Sequence, residues 1–483
     1  MAVYRKILKY VSSLSPAAKA SFWFVVSNVM LKGISFITTP IFTRLLNVAD
    51  YGMTSVFVTW EGVISIFATL SLSGGVYNVA MTKFEDEIDG FTSSMIGLTA
   101  LASSAVYLIC MGINFIAPSL FQLNQSYLIY MWIQTFANAT ASFWLMRKRF
   151  EYRYQSVILY TFCNAFLSPS LAIVMINVFS ENKAYAKVIG AGLPGIVFGF
   201  YIGVRALLRG RKIYHRKYWL YALKFNIPLI PHYLSSILMN SSDRLMINYF
   251  CGAAQAGIYS IANSITGLIS IITQAINQSL IPYTLQSIKK HSIHKLYQVV
   301  LGCTALVSVV CILVVLFARE GVMLFATEDY IDAVWFVAPL VFATQISFVS
   351  GLIGNIIFYY EKTQYMSMIT IICATVNIIT NIFGIQLFGY IAAGYTTLLS
   401  SFMKMMLYYL CAKKFEKDLH NIINLKWLFS IFVITIMFIV YGMVFNDNLM
   451  MKLWLVFLIF AVCFLLRKKI TYMIKKVLNK EVD

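Results

Sequence analysis

Residues 90–146 decide the fold: they read GFTSSMIGLTALASSAVYLICMGINFIAPSLFQLNQSYLIYMWIQTFANATASFWLM and contain no Asp, Glu, Lys or Arg. A helix needs about 20 apolar residues to cross the hydrocarbon core of a bilayer, so this run is long enough for two crossings. Further runs without charged residues cover 154–180, 245–288, 296–318, 333–360 and 363–403. Residues 431–440, IFVITIMFIV, are apolar except for Thr435, whereas barrel strands alternate at every second residue. The sequence therefore predicts an all-α protein with many membrane spans.

The composition of the whole chain excludes other classes. Of its 483 residues, 60% are hydrophobic and 12% are charged, about half the charged fraction of an ordinary soluble protein. The mean hydropathy is +0.77, so the chain is too apolar to be disordered. Its net charge of +19 is spread thinly and does not form the basic stripe of a nucleic-acid-binding protein. The eight cysteines are scattered without a CxxC pair, which favours core residues over disulfides or a metal site.

Apolar runs, turn residues and charge clusters predict fourteen transmembrane helices. The predicted spans are 21–46, 51–76, 91–117, 126–147, 155–180, 186–208, 221–250, 255–284, 296–317, 331–360, 365–388, 391–412, 427–446 and 450–467. The domains are a cytoplasmic amphipathic N-terminus (1–20), an N-lobe of helices 1–6 (21–210), a basic linker (211–220), a C-lobe of helices 7–12 (221–412), and helices 13 and 14 with a basic tail (413–483).

Basic residues favour the cytoplasmic side of a membrane protein. With the N-terminus inside, 30 of the 38 Lys and Arg residues lie on the cytoplasmic side and four lie within spans. The outer side holds only Lys183, Lys187, Arg319 and Lys452. This asymmetry predicts that both termini are cytoplasmic. The first twenty residues are basic and amphipathic and lack the pattern of a cleavable signal peptide.

Two segments about 200 residues apart look alike. They are RLLNVADYGMTS at 44–55 and DRLMINYFCGAAQAGIYS at 243–260. Each contains an arginine near the end of a helix, crosses a short outer loop and opens the next helix with Tyr or Gly. Helices 1–6 and 7–12 then form two pseudo-symmetric six-helix lobes, followed by a C-terminal helix pair. An even number of helices per lobe makes the repeats parallel, as in one class of secondary transporters.

The residues around these segments resemble a known family. TPIFTRLL at 39–46, followed by DYG at 50–52, resembles the opening signature of Wzx-type oligosaccharide flippases of the multidrug/oligosaccharidyl-lipid/polysaccharide (MOP) exporter superfamily. SDRLMI at 242–247, followed by Gly252 and AGIYS at 256–260, resembles their second-lobe signature. The resemblance implies a V-shaped pair of lobes around a central cavity in a bacterial inner membrane. It also implies transfer of an undecaprenyl-pyrophosphate-linked oligosaccharide (an O-antigen, capsule or exopolysaccharide repeat unit) to the outer leaflet, with a polysaccharide polymerase as partner.

Polar residues recur at helical spacing on the first two helices of each lobe, as expected of helices that face water inside a membrane. The rows are Asn28, Lys32, Ser35, Thr39 and Thr43; Ser55, Thr59, Thr69 and Ser73; His232, Ser236, Asn240 and Asp243; and Asn263, Thr266, Ser270, Gln274 and Asn277. We interpret these rows as walls of a substrate cavity. Packed helix contacts are the alternative, because Ser and Thr are common there in membranes.

Six charged residues fall within the predicted spans, and each costs at least ~2.5–3.5 kcal/mol near a helix centre unless something compensates it. Cations outnumber anions among them, and a pyrophosphate prefers Arg and Lys donors. The predicted substrate-binding residues are Lys32, Arg44, Arg244, Asn28, Asn240, Gln274 and Asn277; the predicted ion-coupling or structural charges are Glu61, Asp243 and Lys404. The alternatives are a Lys32–Glu61 salt bridge, an Arg44 that reaches the membrane surface, and a loop brace formed by Asp243 and Arg244.

Together these features predict a flippase that works by alternating access, and neither a catalytic nor a metal site. The sequence has no Walker or Rossmann motif, so we expect no cofactor and an energy supply from a proton, sodium or substrate gradient. A MATE-like ion-coupled small-molecule exporter is the alternative within transport, and its cavity would favour carboxylates. A membrane glycan polymerase or ligase is less favoured, because the longest predicted outer loop, 318–332, is short. The expected partners are the lipid-linked cargo and membrane lipids, without nucleic acid; the sugar, the coupling ion and the oligomeric state stay open.

Overall fold

The computed structural model describes residues 16–151, 153–179, 181–290, 293–416, 419–444 and 450–457. The described residues are mainly helical and contain no β-strand. The helices are α1 (Pro16–Leu45), α2 (Val48–Thr69), α3 (Val76–Lys83), α4 (Ile88–Ile116), α5 (Pro118–Phe121), α6 (Gln125–Phe150), α7 (Tyr154–Val178), α8 (Lys183–Gly210), α9 (Arg216–Asn226), α10 (Ile230–Cys251), α11 (Ala253–Lys289), α12 (Ile293–Leu316), α13 (Ala318–Phe325), α14 (Val334–Tyr359), α15 (Thr363–Phe388), α16 (Ala392–Phe415), α17 (Leu419–Ile422) and α18 (Leu425–Val444). Residues 450–457 are also helical.

Within the described ranges, nine helical segments are long and apolar enough to cross a membrane. They contain α2, α4, α7, α8, α11, α12, α14, α15 and α18. Helices α1, α6, α10 and α16 are also long enough but more polar, since they carry residues such as Arg44, Gln134, Asp243 and Lys404. The predicted all-α, many-span fold is confirmed. The count of fourteen spans stays a prediction, and most of the last one, 450–467, lies outside the described residues.

The chain divides into two compact units, Met1–Leu238 and Met239–Asp483. In the first unit, α6 and α7 pack on α8, while α2 and α4 pack on each other and on α6. In the second unit, α14 and α15 pack on α16, while α11 and α12 pack on each other and on α14. These helix pairs recur at corresponding positions in the two units, which supports the repeat seen in the sequence. The predicted lobe boundaries stay a prediction.

The two signature segments turn between helices in different ways. In the first, Asn47 caps α2 by accepting a hydrogen bond from the backbone N–H of Asp50 at 2.7 Å. In the second, Gly252 stands between α10 and α11 with a φ of 100°. Its N–H donates to the carbonyls of Asn248 and Ile247 at 2.9 and 3.2 Å, which satisfies the end of α10. A residue with a Cβ is strained at this φ, so the second turn needs glycine.

The predicted seventh span, 221–250, is interrupted at its two prolines. Helix α9 ends at Asn226, a 3-10 turn covers Ile227–Leu229, and α10 begins at Ile230. Pro228 and Pro231 explain the interruption, because proline lacks the backbone donor that helix continuation requires. The Asn226 side chain fixes the break: it accepts from the N–H of Val76 at 2.9 Å and donates to the carbonyl of Leu70 at 2.7 Å.

The last described helices belong to the second unit. Helix α18 packs against α12 and α14. The fully buried Gln345 of α14 donates to Ser308 of α12 at 2.7 Å and to Thr435 of α18 at 3.3 Å. A polar contact of this kind stabilises helix packing where the surroundings are apolar.

Candidate functional site

Lys187 is held inside the first unit by residues of the first signature segment. It lies in the second turn of α8, and its Nζ donates to Oγ1 of Thr54 at 2.9 Å. The same Nζ lies 4.4 Å from the ring centroid of Tyr51 and 4.7 Å from that of Phe42, and aromatic faces attract cations. Among the described residues, no carboxylate forms an ion pair with Lys187.

The sequence places Lys187 on the outer side, at the start of the predicted span 186–208. The structure shows that α8 begins at Lys183 and that Lys187 lies one turn inside the helix, against α2; its side of the membrane stays a prediction. The available signal was its position near the start of a helix rich in Ala and Gly. A cation on such a helix must find a partner on a neighbouring helix.

Glu61 of α2 accepts hydrogen bonds from two amides. Nε2 of Gln134 lies 3.2 Å from its Oε2, and Nδ2 of Asn138 lies 3.4 Å from its Oε1. The two donors are one turn apart on α6, so they reach α2 from the same face. The side chain of Lys32 lies outside the described residues, so the Lys32–Glu61 salt bridge stays a hypothesis.

Asp243 is the carboxylate of the second signature segment, and it is buried, with 3% of the residue exposed. Its Oδ2 accepts from the hydroxyl of Tyr259 on α11 at 2.6 Å and from that of Thr397 on α16 at 2.8 Å. Its Oδ1 accepts from Nδ2 of Asn381 on α15 at 2.6 Å. Four helices therefore meet at one carboxylate. Sequence reasoning found Asp243 but none of these three donors.

The predicted cations have few partners. Nε of Arg244 is buried and donates no hydrogen bond to the described residues, although the buried Asp243 is its neighbour in the chain. Nζ of Lys404 is 5.6 Å from the ring centroid of Tyr408. Arg44 is exposed and donates to the carbonyl of Pro40, one turn back, at 2.9 Å.

The predicted polar rows have mixed surroundings. Gln274 is exposed, whereas Oδ1 of Asn277 accepts from Nδ2 of Asn355 at 2.8 Å. Hydroxyls such as those of Thr39 and Thr59 donate to carbonyls of their own helix, so they are satisfied without water. The side chains of Asn28, Lys32 and Asn240 lie outside the described part of the chain. The role of these rows as cavity walls stays a prediction.

Comparison with solved structures identifies the fold. The fold is similar to that of the lipid II flippase MurJ in its inward closed conformation, with a TM-score of 0.64 and 14% identity over 92% of this chain and 99% of that one. It is also similar to a MOP-superfamily transporter from Pyrococcus furiosus, with a TM-score of 0.54 and 13% identity over 85% of this chain and 98% of that one. The fold is that of MOP-superfamily transporters, and the chain is a multi-pass membrane protein.

The sequence comparisons identify the family. The profile described as "Polysaccharide biosynthesis protein" matches residues 17–288, which include both signature segments. The chain is also 19% identical over 367 residues to "Lsg locus putative protein 1" of Haemophilus influenzae, covering 74% of this chain and 89% of that protein. The chain belongs to the polysaccharide biosynthesis protein family, which confirms the predicted relation to Wzx-type flippases of the MOP superfamily. Family and fold resemble transporters and flippases, which are not enzymes.

Proposed function

We propose that this protein moves an undecaprenyl-pyrophosphate-linked oligosaccharide from the inner to the outer leaflet of a bacterial inner membrane by alternating access. The family match and the similarity to a lipid II flippase support a lipid-linked cargo. The cargo class we favour is the repeat unit of an O-antigen, capsule or exopolysaccharide. A polysaccharide polymerase in the same membrane is the partner that would consume it.

The distribution of charge inside the helices carries this proposal. Lys187, Arg244 and Lys404 form no ion pair with a carboxylate in the ranges that the structure describes. Glu61 and Asp243 instead accept hydrogen bonds from neutral side chains. Cations that the protein itself does not neutralise attract an anionic ligand, and a diphosphate accepts several charge-assisted hydrogen bonds from Arg and Lys.

The site assignment follows from this distribution. We assign the pyrophosphate to Arg44, Arg244 and Lys32, and we add Lys187. The amides predicted from the sequence are assigned to the sugars: Asn28, Asn240, Gln274 and Asn277. Asp243 is proposed to couple transport to a proton or sodium gradient, because binding of either cation would change the net charge next to Arg244 by one. Glu61 is the corresponding candidate in the first unit, and Lys404 is a structural charge.

A transport assay in liposomes tests the proposal. The probe is a fluorescent undecaprenyl-pyrophosphate-linked oligosaccharide, and the readout is the rate at which it becomes protected from a quencher outside the liposomes. We expect the wild-type protein to raise this rate, Arg244→Gln to lower it at least tenfold, and Arg244→Lys to retain part of it. Lys426→Gln is the matched control, because it removes the same charge from an exposed position.

Three outcomes would contradict parts of this proposal. A wild-type rate equal to that of protein-free liposomes would overturn the flippase function. Equal rates for the wild type and Arg244→Gln would overturn the site assignment alone. Export of a small organic cation without movement of the lipid probe would favour the MATE-like exporter.

A further inference from the structure

A cluster of basic residues lies at one end of the first unit, and the proposed function does not use it. A cavity of about 480 Å³ opens there. Helix α4 begins at this end, and α6 and α8 end there, so the cavity lies between three helix termini. The basic lining residues are Arg147, Lys148, Arg153, Arg205 and Arg209. The adjoining loops are those predicted to be cytoplasmic.

Two carboxylates in the cavity neutralise part of this charge. Glu151 accepts from Nζ of Lys148 at 2.8 Å and from Nε of Arg147 at 3.0 Å, and it lies 3.4 Å from Nε of Arg153. Arg147 also pairs with Asp89. Partial burial raises the pKa of Glu151, but the hydrogen bonds from Lys148 and Arg147 outweigh it and lower the pKa below its ordinary value. With five cations and two carboxylates, the cavity keeps a net charge of +3.

Arg205 and Arg209 supply most of the surplus charge. They lie one turn apart on α8, and both are exposed. Arg205 donates to the hydroxyl of Tyr201 at 3.1 Å; neither arginine takes part in an ion pair of the described chain. On the same helix, Val204 is 55% exposed and Leu208 is 68% exposed. Two guanidinium groups without a carboxylate partner in the described chain therefore stand beside apolar surface that suits acyl chains.

An aromatic contact supports a position at the membrane surface. Trp144 lines the cavity, and its ring centroid lies 5.3 Å from that of Phe198 and 6.2 Å from that of Tyr160. Trp and Tyr are enriched at the level of lipid headgroups. Basic pockets between transmembrane helices on the cytoplasmic side bind anionic headgroups.

We propose that this cavity binds the phosphate of an anionic phospholipid from the cytoplasmic leaflet, with Arg205 and Arg209 as the main donors. The planar guanidinium group suits a phosphodiester, since it donates two parallel hydrogen bonds. The cavity is large enough for a phosphate and a glycerol. The exposed Val204 and Leu208 beside the arginines would contact the acyl chains of a resident lipid.

Native mass spectrometry of the detergent-solubilised full chain tests this assignment with three lipids: phosphatidylglycerol, phosphatidylcholine and undecaprenyl pyrophosphate. We expect the wild type to bind phosphatidylglycerol more tightly than phosphatidylcholine. The double variant Arg205→Gln/Arg209→Gln should raise the Kd for phosphatidylglycerol at least fivefold, while Arg205→Lys/Arg209→Lys should recover much of the loss. The matched control Arg216→Gln/Lys217→Gln removes the same charge from exposed positions outside this cavity and should change the Kd less than twofold.

Two results would overturn the proposal. If the control pair weakens phosphatidylglycerol binding as much as the Arg205/Arg209 pair does, the effect comes from general surface charge. If the Arg205/Arg209 pair loses undecaprenyl pyrophosphate but keeps phosphatidylglycerol, the cavity serves the cargo. Circular dichroism and size-exclusion chromatography serve to check that each variant is folded, so that a loss of binding reports on the site.

Discussion

Lys452 shows how strongly a single buried charge depends on its partner. Its side chain is 1% exposed, and its Nζ donates to Oε1 of Glu320 at 2.6 Å. The charge count places Lys452 on the outer side, at the start of the predicted span 450–467; the structure buries it in the helical segment 450–457, against α13. The side chain of Glu320 is 48% exposed, so water solvates this carboxylate when the lysine is absent. The ammonium group of Lys452 is buried, so water does not solvate it when the carboxylate is absent.

We therefore expect the two halves of this ion pair to respond unequally to substitution. Glu320→Gln should lower the free energy of unfolding by about 2–3 kcal/mol, because it leaves a buried ammonium without its counter-charge. Lys452→Met should cost less, since the apolar side chain suits the buried position. Unfolding in detergent measures both, with Glu328→Gln at a nearby exposed position as the control. Equal losses from both variants would contradict the argument.

At the scale of the helices, α8 approaches its neighbours through glycine. A Cβ on Gly199 would collide with the backbone carbonyl of Ala137 on α6, and Oγ1 of Thr140 donates to the Gly199 carbonyl at 2.6 Å. Gly112 on α4 provides the opposite case, because a Cβ there meets open space. Glycine therefore permits close helix packing at position 199, whereas no packing contact requires it at position 112.

Alanine at these two positions should therefore act with opposite signs. Gly199→Ala forces α8 away from α6 and should destabilise the protein by about 1–3 kcal/mol, the usual cost of overpacking. Gly112→Ala should be neutral or should stabilise by up to about 1 kcal/mol, because alanine restricts the unfolded chain and favours the helix. Thermal unfolding midpoints of the two variants in one detergent check the sign. A Gly199→Ala variant as stable as the wild type would contradict the prediction and show that α6 and α8 can move apart at little cost.

For the whole molecule, the distribution of Lys and Arg predicts that both termini are cytoplasmic. A reporter that fluoresces only in the cytoplasm, fused after Asp483, should therefore give signal. The same reporter inserted in the predicted outer loop 318–332 should stay dark at equal protein abundance. A dark C-terminal fusion that is stably expressed would mean an odd number of spans, and the arrangement of two six-helix lobes with a further pair would then be wrong.

Only some residues of the candidate site could be predicted from the sequence. The sequence was sufficient to select Glu61, Asp243 and Arg244, because a charge within an apolar run stands out. It did not reveal Tyr259, Thr397 or Asn381 as donors to Asp243, since Tyr, Thr and Asn occur on many other helices. Lys187 was missed for a related reason: it stands at the start of the predicted span 186–208 and was counted with the outer cations, and only the structure shows its contact with Thr54 on α2.

The sequence by itself determined the class of this protein, the approximate positions of its long helices and the presence of a repeat. Hydropathy and charge are properties of consecutive residues, so they can be read without knowing which helices touch. Only the tertiary structure decided that Lys187 meets Thr54, 133 positions away, and that Asp243 meets Thr397, 154 positions away. Such contacts depend on how each helix is rotated about its axis and on which neighbour it faces. Close packing across several helices sets both, and no single stretch of the chain encodes it.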